Sequence, residues 1–228
     1  MFYKSGNNKI MKNIPRIFVG DNVDTGMVLP VSREVSHYLS RVMRTNSCLV
    51  FGGGYEFNAV LSDDKSALIV GAKTDHADPS NNITLMFAPI KRTDDLLNMA
   101  TQMGVACFQP VITQRTNANH INWARMNKIV VESAEQSNRN SVPQILPAVK
   151  FSDLDLSGVV FADERAAHGR DVSDEIDDVK YLLVGPEGGF SDSEFDALDC
   201  AGARGISLGR TILRAELAAS VAIARVVK

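Results

Sequence analysis

The stretch YLLVGPEGGFSDSEFDAL, residues 181–198, decides the fold. Tyr181 to Val184 form an unbroken apolar run, as in a strand buried on both faces, and it leads directly into Gly185-Pro186-Glu187-Gly188-Gly189. A helix must follow, because Ser191 stands as N-cap, Glu194 completes a capping box three residues on, and Phe190 and Phe195 occupy the two hydrophobic-staple positions. The glycine loop is therefore held rigidly between a strand and a helix. Glycines there let backbone N–H and C=O groups approach a ligand, at the strand edge where parallel sheets bind their ligands. A tight turn without a ligand is the other reading of the same residues. The spacing matches neither GxGxxG nor GxxxxGK[ST], so dinucleotide and P-loop readings have no support.

Working outward, residues from about 76 onward alternate strand and helix patterns. ITLMFAPI (83–90), VACFQPVI (105–112), VVFAD (159–163) and GISLG (205–209) read as strands. TDDLLNMATQMG carries a helical stripe through Leu97, Ala100 and Met103 and stops at Gly104, and NHINWARMNKIVVESAEQSNR reads as a long helix. Such alternation predicts a mostly parallel α/β sheet. The polar run HADPSNN (76–82) separates this part from a β-rich beginning. There, RIFVG (16–20), CLVFGG (48–53), the alternating Tyr55, Phe57, Ala59 and Leu61, and SALIVGAK (66–73) predict short strands of a compact barrel. Val35, Leu39 and Val42 beneath a Ser32 cap predict one amphipathic helix packed on it. Gly52-Gly53-Gly54 joins two strand patterns, which makes it a hairpin turn rather than a cofactor loop. The expected domains are residues 1–75 and 76–228.

The chain has 228 residues, 45% hydrophobic and 22% charged, an ordinary globular composition that excludes collagen-like, disordered and coiled-coil classes. No window approaches the roughly 20 apolar residues that a bilayer requires, so a cytoplasmic protein without membrane contact is expected. Three cysteines, Cys48, Cys107 and Cys200, form no CxxC, and no metal site is expected. The net charge is −3, but its distribution is uneven. Residues 1–50 hold seven Lys and Arg against three Asp and Glu, whereas residues 151–200 hold three against fourteen. A basic end on an acidic chain fits an anionic partner gripped at one place, with a solvated surface as the plainer alternative.

One further segment carries chemistry: ISLGRTILRAELAASVAIARV, residues 206–226. Ala215, Ala218, Ala219 and Ala222 permit close helix packing, while Arg214 and Glu216 sit together at a helix start behind Gly209.

LLVGPEGGFSDSEF together with ISLGRTILRAELA resembles the signature of the ribosomal RNA small subunit methyltransferase E family, enzymes of the SPOUT superfamily that methylate N3 of a uridine in 16S rRNA. PRIFV, HYLSRVMR, FQPVITQR, AEQSNRNSVPQI and FADERAA extend the likeness along the chain. The resemblance implies an N-terminal PUA-like β-barrel and an α/β domain whose C-terminal segment forms a trefoil knot. It implies S-adenosylmethionine as cofactor, held mainly by backbone at Leu183, Gly185, Gly188, Leu208, Gly209, Ile212 and Leu213. It further implies a homodimer acting on 16S rRNA in the assembled 30S subunit.

Attack by uridine N3 needs its proton removed or the resulting anion stabilised. Arg214 and Glu216 are the expected catalytic residues, Arg214 stabilising charge on the uracil oxygens, with a salt bridge between the two as the structural alternative. No histidine stands out as a base among His37, His76, His120 and His168. RNA contacts are expected from Arg16, His37, Arg41 and Arg44, and from Arg139 and Arg165 in the matched segments. Where the family usually reads LGPRILRTETA, this chain has Arg210, Thr211, Ala215 and Leu217, so a role for the missing hydroxyls is in doubt. Ribose 2′-O methylation, as in sister SPOUT families, and a non-catalytic role in ribosome assembly are the competing readings.

Overall fold

The computed structural model describes residues 14–78, 82–117, 121–172 and 177–227, and among the described residues of its first unit are five short strands and one bent helix. The chain divides into two units, Met1–Ala77 and Asp78–Lys228. In the first, β1 (Arg16–Phe18), β2 (Val28–Pro30), β3 (Ser47–Gly52), β4 (Tyr55–Leu61) and β5 (Ala67–Lys73) pair in the order β1-β3-β4-β5-β2. The β3–β4 hairpin turns on Gly53 and Gly54, with φ of +58° and +83°, the left-handed pair that a type I′ turn requires. Val50, Phe57, Ala59, Leu68 and Val70 alternate inward to form the core beneath Leu39.

The helix departs from its predicted stripe. After α1 (Arg33–His37), capped by Ser32 Oγ, the backbone widens into a π-helical turn over Tyr38–Met43. It ends at Arg44, whose N–H donates to Leu39 O five residues back. The i, i+4, i+7 spacing assumes 3.6 residues per turn. Widening keeps Leu39 buried but rotates Val42 outward, where it is 60% exposed.

The second unit holds β6 (Thr84–Phe87), α2 (Thr93–Gln102), β7 (Cys107–Ile112), α3 (Trp123–Gln136), β8 (Gln144–Ile145), β9 (Val149–Lys150), β10 (Val159–Ala162), β11 (Tyr181–Val184), α4 (Asp192–Cys200), β12 (Arg204–Ile206) and α5 (Ala215–Val226). Its sheet runs β12-β10-β11-β6-β7-β8 with parallel pairing, and β9 also pairs with β7. This is the α/β class read from the alternation. Both faces are covered. Leu182 and Val184 join Leu85, Phe87, Phe108 and Ile223 in one core, while Leu183 joins Met86, Val111, Phe161, Phe190 and Phe195 in the other. Asn122 caps α3, which therefore begins later than the sequence pattern did.

All three cysteines are free. Among the described residues no group of His, Cys, Asp and Glu is placed to hold a metal ion, and no helix is long and apolar enough to cross a membrane.

Candidate active site

The loop after β11 is cross-tied on every side. Gly189 N–H donates to Pro186 O at 2.9 Å, closing the turn. Glu194 Oε2 accepts from Ser191 N at 2.8 Å and Ser191 Oγ accepts from Glu194 N at 3.3 Å, so the capping box is formed as its spacing predicted. The other carboxylate oxygen reaches further, accepting from Gln114 N at 2.7 Å in the loop after β7. From that loop Arg115 Nη1 donates to Gly188 O at 2.7 Å and to Phe190 O at 3.1 Å. Glu187 Oε1 accepts from Lys91 N at 3.1 Å in the loop after β6.

Beside this loop lies a cavity of about 260 Å³ with walls from three segments, 162–167, 184–190 and 208–218. Of the residues expected to hold a cofactor, Gly185, Leu208, Gly209, Ile212 and Leu213 line it. Two do not. The Leu183 side chain is fully buried in the opposite core because strand residues alternate faces, and Val184 lines the cavity in its place. A Cβ on Gly188 would meet the Arg115 side chain at 3.5 Å, so that position faces Arg115. The glycine that matters sterically is Gly189, with φ +68° and Glu164 Oε1 only 2.0 Å from where a Cβ would stand. Glu164, Glu187, Gly189 and Thr211 are cavity residues that sequence reasoning did not select, although FADERAA and GPEGG contain three of them.

Arg214 stands at the N-cap of α5, exposed and on the cavity wall. Among the described residues no ion pair engages it. Glu216 does not pair with it. That carboxylate is buried and turned to Arg92 Nη1 at 3.6 Å, because the first turn of α5 packs against the start of α2. His76 and His168 are exposed, His168 is not among the residues lining the cavity, and His120 lies outside the described residues.

The arginines expected to grip RNA separate into two groups. Arg16 is buried, donates from Nε to Glu56 Oε2 at 2.8 Å and lies over the Phe51 ring. Arg139 Nη1 donates to Thr101 O and Val105 O at 2.8 Å each, closing the α2–β7 connection. Arg165 bridges Asp163 at 2.7 Å and Asp199 at 3.0 Å and stacks on Phe195, its guanidinium pKa raised first by the Asp163 hydrogen bond. These three are structural, since a phosphate would have to displace partners already in place.

His37 and Arg41 behave differently. They line an open groove of about 450 Å³ together with Arg33 and Lys65, two cations that the sequence reading passed over. Lys65 is presented by a turn in which Asp64 accepts from Ser62 Oγ at 2.6 Å and Ser66 Oγ at 2.7 Å. Arg44 is exposed at the end of the π-helical turn.

A family model described as an RNA methyltransferase domain matches residues 77–227. The Ribosomal RNA small subunit methyltransferase E of Rickettsia conorii is 34% identical over 208 residues, covering 83% of this chain and 85% of its own. The chain belongs to the ribosomal RNA small subunit methyltransferase E family. The Synechocystis member is 28% identical over 210 residues, covering 83% of this chain and 69% of its own. A crystal structure of the Neisseria gonorrhoeae small subunit methyltransferase E, bound to S-adenosyl methionine, superposes with a TM-score of 0.80 at 28% identity and covers 92% of this chain and 95% of that one. The two glycine-gated segments that line the one cavity, 185–189 and 208–214, lie within the residues that the RNA methyltransferase domain model matches.

Proposed function

We propose that this protein transfers a methyl group from S-adenosylmethionine to N3 of a uridine in 16S rRNA, acting on the assembled 30S subunit. The observation that carries the reading is the cavity itself, a glycine-walled pocket at the C-terminal edge of a parallel sheet with an exposed arginine on its rim. Its walls suit the cofactor: Val184, Leu208 and Leu213 offer apolar surface for an adenine, Gly185 and Gly189 bring the backbone into the wall, and the space beside Gly209 is open to close approach. When bound, the sulfonium supplies a methyl group already activated for transfer. Arg214 holds the negative charge that develops on the uracil carbonyl oxygens as N3 gives up its proton to solvent water, and the rigid loop fixes the geometry of approach. Glu216 takes a positioning part, anchoring the first turn of α5 to Arg92 so that Arg214 stays at the rim.

The same reading takes residues 1–75 as a PUA-like barrel that docks RNA phosphates through Arg33, His37, Arg41, Arg44 and Lys65. It takes residues 76–228 as a SPOUT domain with a trefoil knot, in keeping with β11 inserted between β10 and β6 and with α5 packed back across β10 and β11. A homodimer fits the exposed Ile212 and Leu217, an apolar edge beside the cavity. A cytoplasmic location follows from the substrate.

The test combines purified protein, 30S particles and labelled cofactor, followed by mass mapping of the 16S rRNA. Methyl transfer to a uracil base, with Arg214→Ala losing turnover while calorimetry shows retained cofactor binding, is expected. Label on a ribose, or none in any particle, would overturn the assignment.

A further inference from the structure

We infer that Arg115 is a positioning residue for cofactor binding: it holds the 185–190 loop in its ligand-ready shape before the ligand arrives. The inference rests on the reading of the cavity as the cofactor site. Arg115 belongs to neither glycine-gated segment and does not line the cavity; it comes from the loop after β7, 73 residues before Gly188. Its Nη1 donates to the carbonyls of Gly188 and Phe190, which flank Gly189. Holding both carbonyls on one charged donor fixes the peptide planes on either side of the residue whose left-handed backbone shapes the wall. The same β7 loop is pinned in turn, since Gln114 N donates to Glu194 Oε1 within the capping box at the loop's far end. Arg115 and Glu194 thus close a reciprocal clasp between two loops: one reaches from the β7 loop to the glycine carbonyls, the other from α4 back to the β7 backbone.

A loop with three glycines samples many backbone states when unrestrained, and each must be given up on binding. The clasp removes that freedom in advance, so its effect appears in affinity and not in the chemical step. Arg115 is exposed, so its removal leaves no cavity in the core.

The experiment uses the full chain with Arg115→Ala and Arg115→Lys, titrated with S-adenosylmethionine by calorimetry and followed by amide hydrogen exchange at residues 185–190. Arg115→Ala should bind about tenfold more weakly, about 1.4 kcal/mol, with faster exchange in the loop and kcat retained at saturating cofactor. Arg115→Lys, which keeps the charge but loses the planar fork, should fall between, and added guanidinium should restore part of the affinity to the alanine variant. Unchanged affinity and exchange would overturn the inference, as would a loss of kcat or a rise in KM for RNA with cofactor binding intact. A wild-type protein that takes up no S-adenosylmethionine would instead overturn the cofactor reading, and this inference with it.

Discussion

Replacing Gly189 by alanine tests the loop geometry where it is least forgiving. The residue has a φ of +68°, and an added Cβ would stand 2.0 Å from Glu164 Oε1. Two effects follow, and they differ in size. An L side chain in the left-handed region loses about 1–2 kcal/mol. The collision falls on the end of an exposed glutamate, which can swing away at little further loss. The expected destabilisation is therefore about 1–2 kcal/mol, mostly from the backbone. Gly188 supplies the control, because its φ is not positive and its Cβ would make ordinary contact with Arg115 at 3.5 Å. Gly188→Ala should stay within about 0.5 kcal/mol of wild type. Urea denaturation reads both, and Gly189→Ala combined with Glu164→Ala should recover little, since it relieves the collision but not the strain. Equal midpoints for the two alanine variants would refute the assignment of Gly189 as the constrained position. Full recovery in the double variant would refute the backbone argument.

The groove on the first unit should contact phosphates, so Arg33→Ala and Arg41→Ala should each lower the salt slope of RNA binding by about one. Arg16→Ala should leave that slope unchanged and lower stability instead, because it removes the cation from the buried Glu56 carboxylate and leaves it only the Thr74 hydroxyl. The hydroxyls of Ser62 and then Ser66 pull the Asp64 carboxyl below its ordinary range to about 2. A depressed carboxylate pKa means that its contribution is present above the unfolded value near 4 and is lost as pH falls through about 2. Asp64→Asn should accordingly flatten that part of the acid limb of stability, and an unchanged acid limb would contradict the turn geometry.

Much of the site could be read along the chain because the relevant interactions are short in sequence. Ser191 and Glu194 meet within one helical turn, so their spacing alone specified the cap. Gly53 and Gly54 specified a hairpin for the same reason. The face of β11 that lines the cavity was harder, since Leu183 and Val184 are equally apolar and only the sheet's orientation tells them apart. Val42 departs from its helical stripe because a π-helical turn, invisible in a 3.6-residue pattern, rotates it to solvent.

What the sequence by itself determined, then, is the alternation of strands and helices, the rigid glycine loop and its cap, and the two segments that flank the cavity. These rest on propensity, periodicity and contacts within a few residues. Only the tertiary structure decided which charges are available. Arg16 finds Glu56 at a separation of 40 residues, Arg165 finds Asp199 at 34, and Arg115 crosses 75 to Phe190. The pairing of Glu216 with Arg92, and not with its near neighbour Arg214, depends on α5 packing beside α2. Such pairings are set by the order in which strands lie in the sheet, and β11 between β10 and β6 brings together loops that the chain keeps far apart. Nearness in sequence alone does not pair a guanidinium with a carboxylate; nearness in space does, and most strongly where water is excluded.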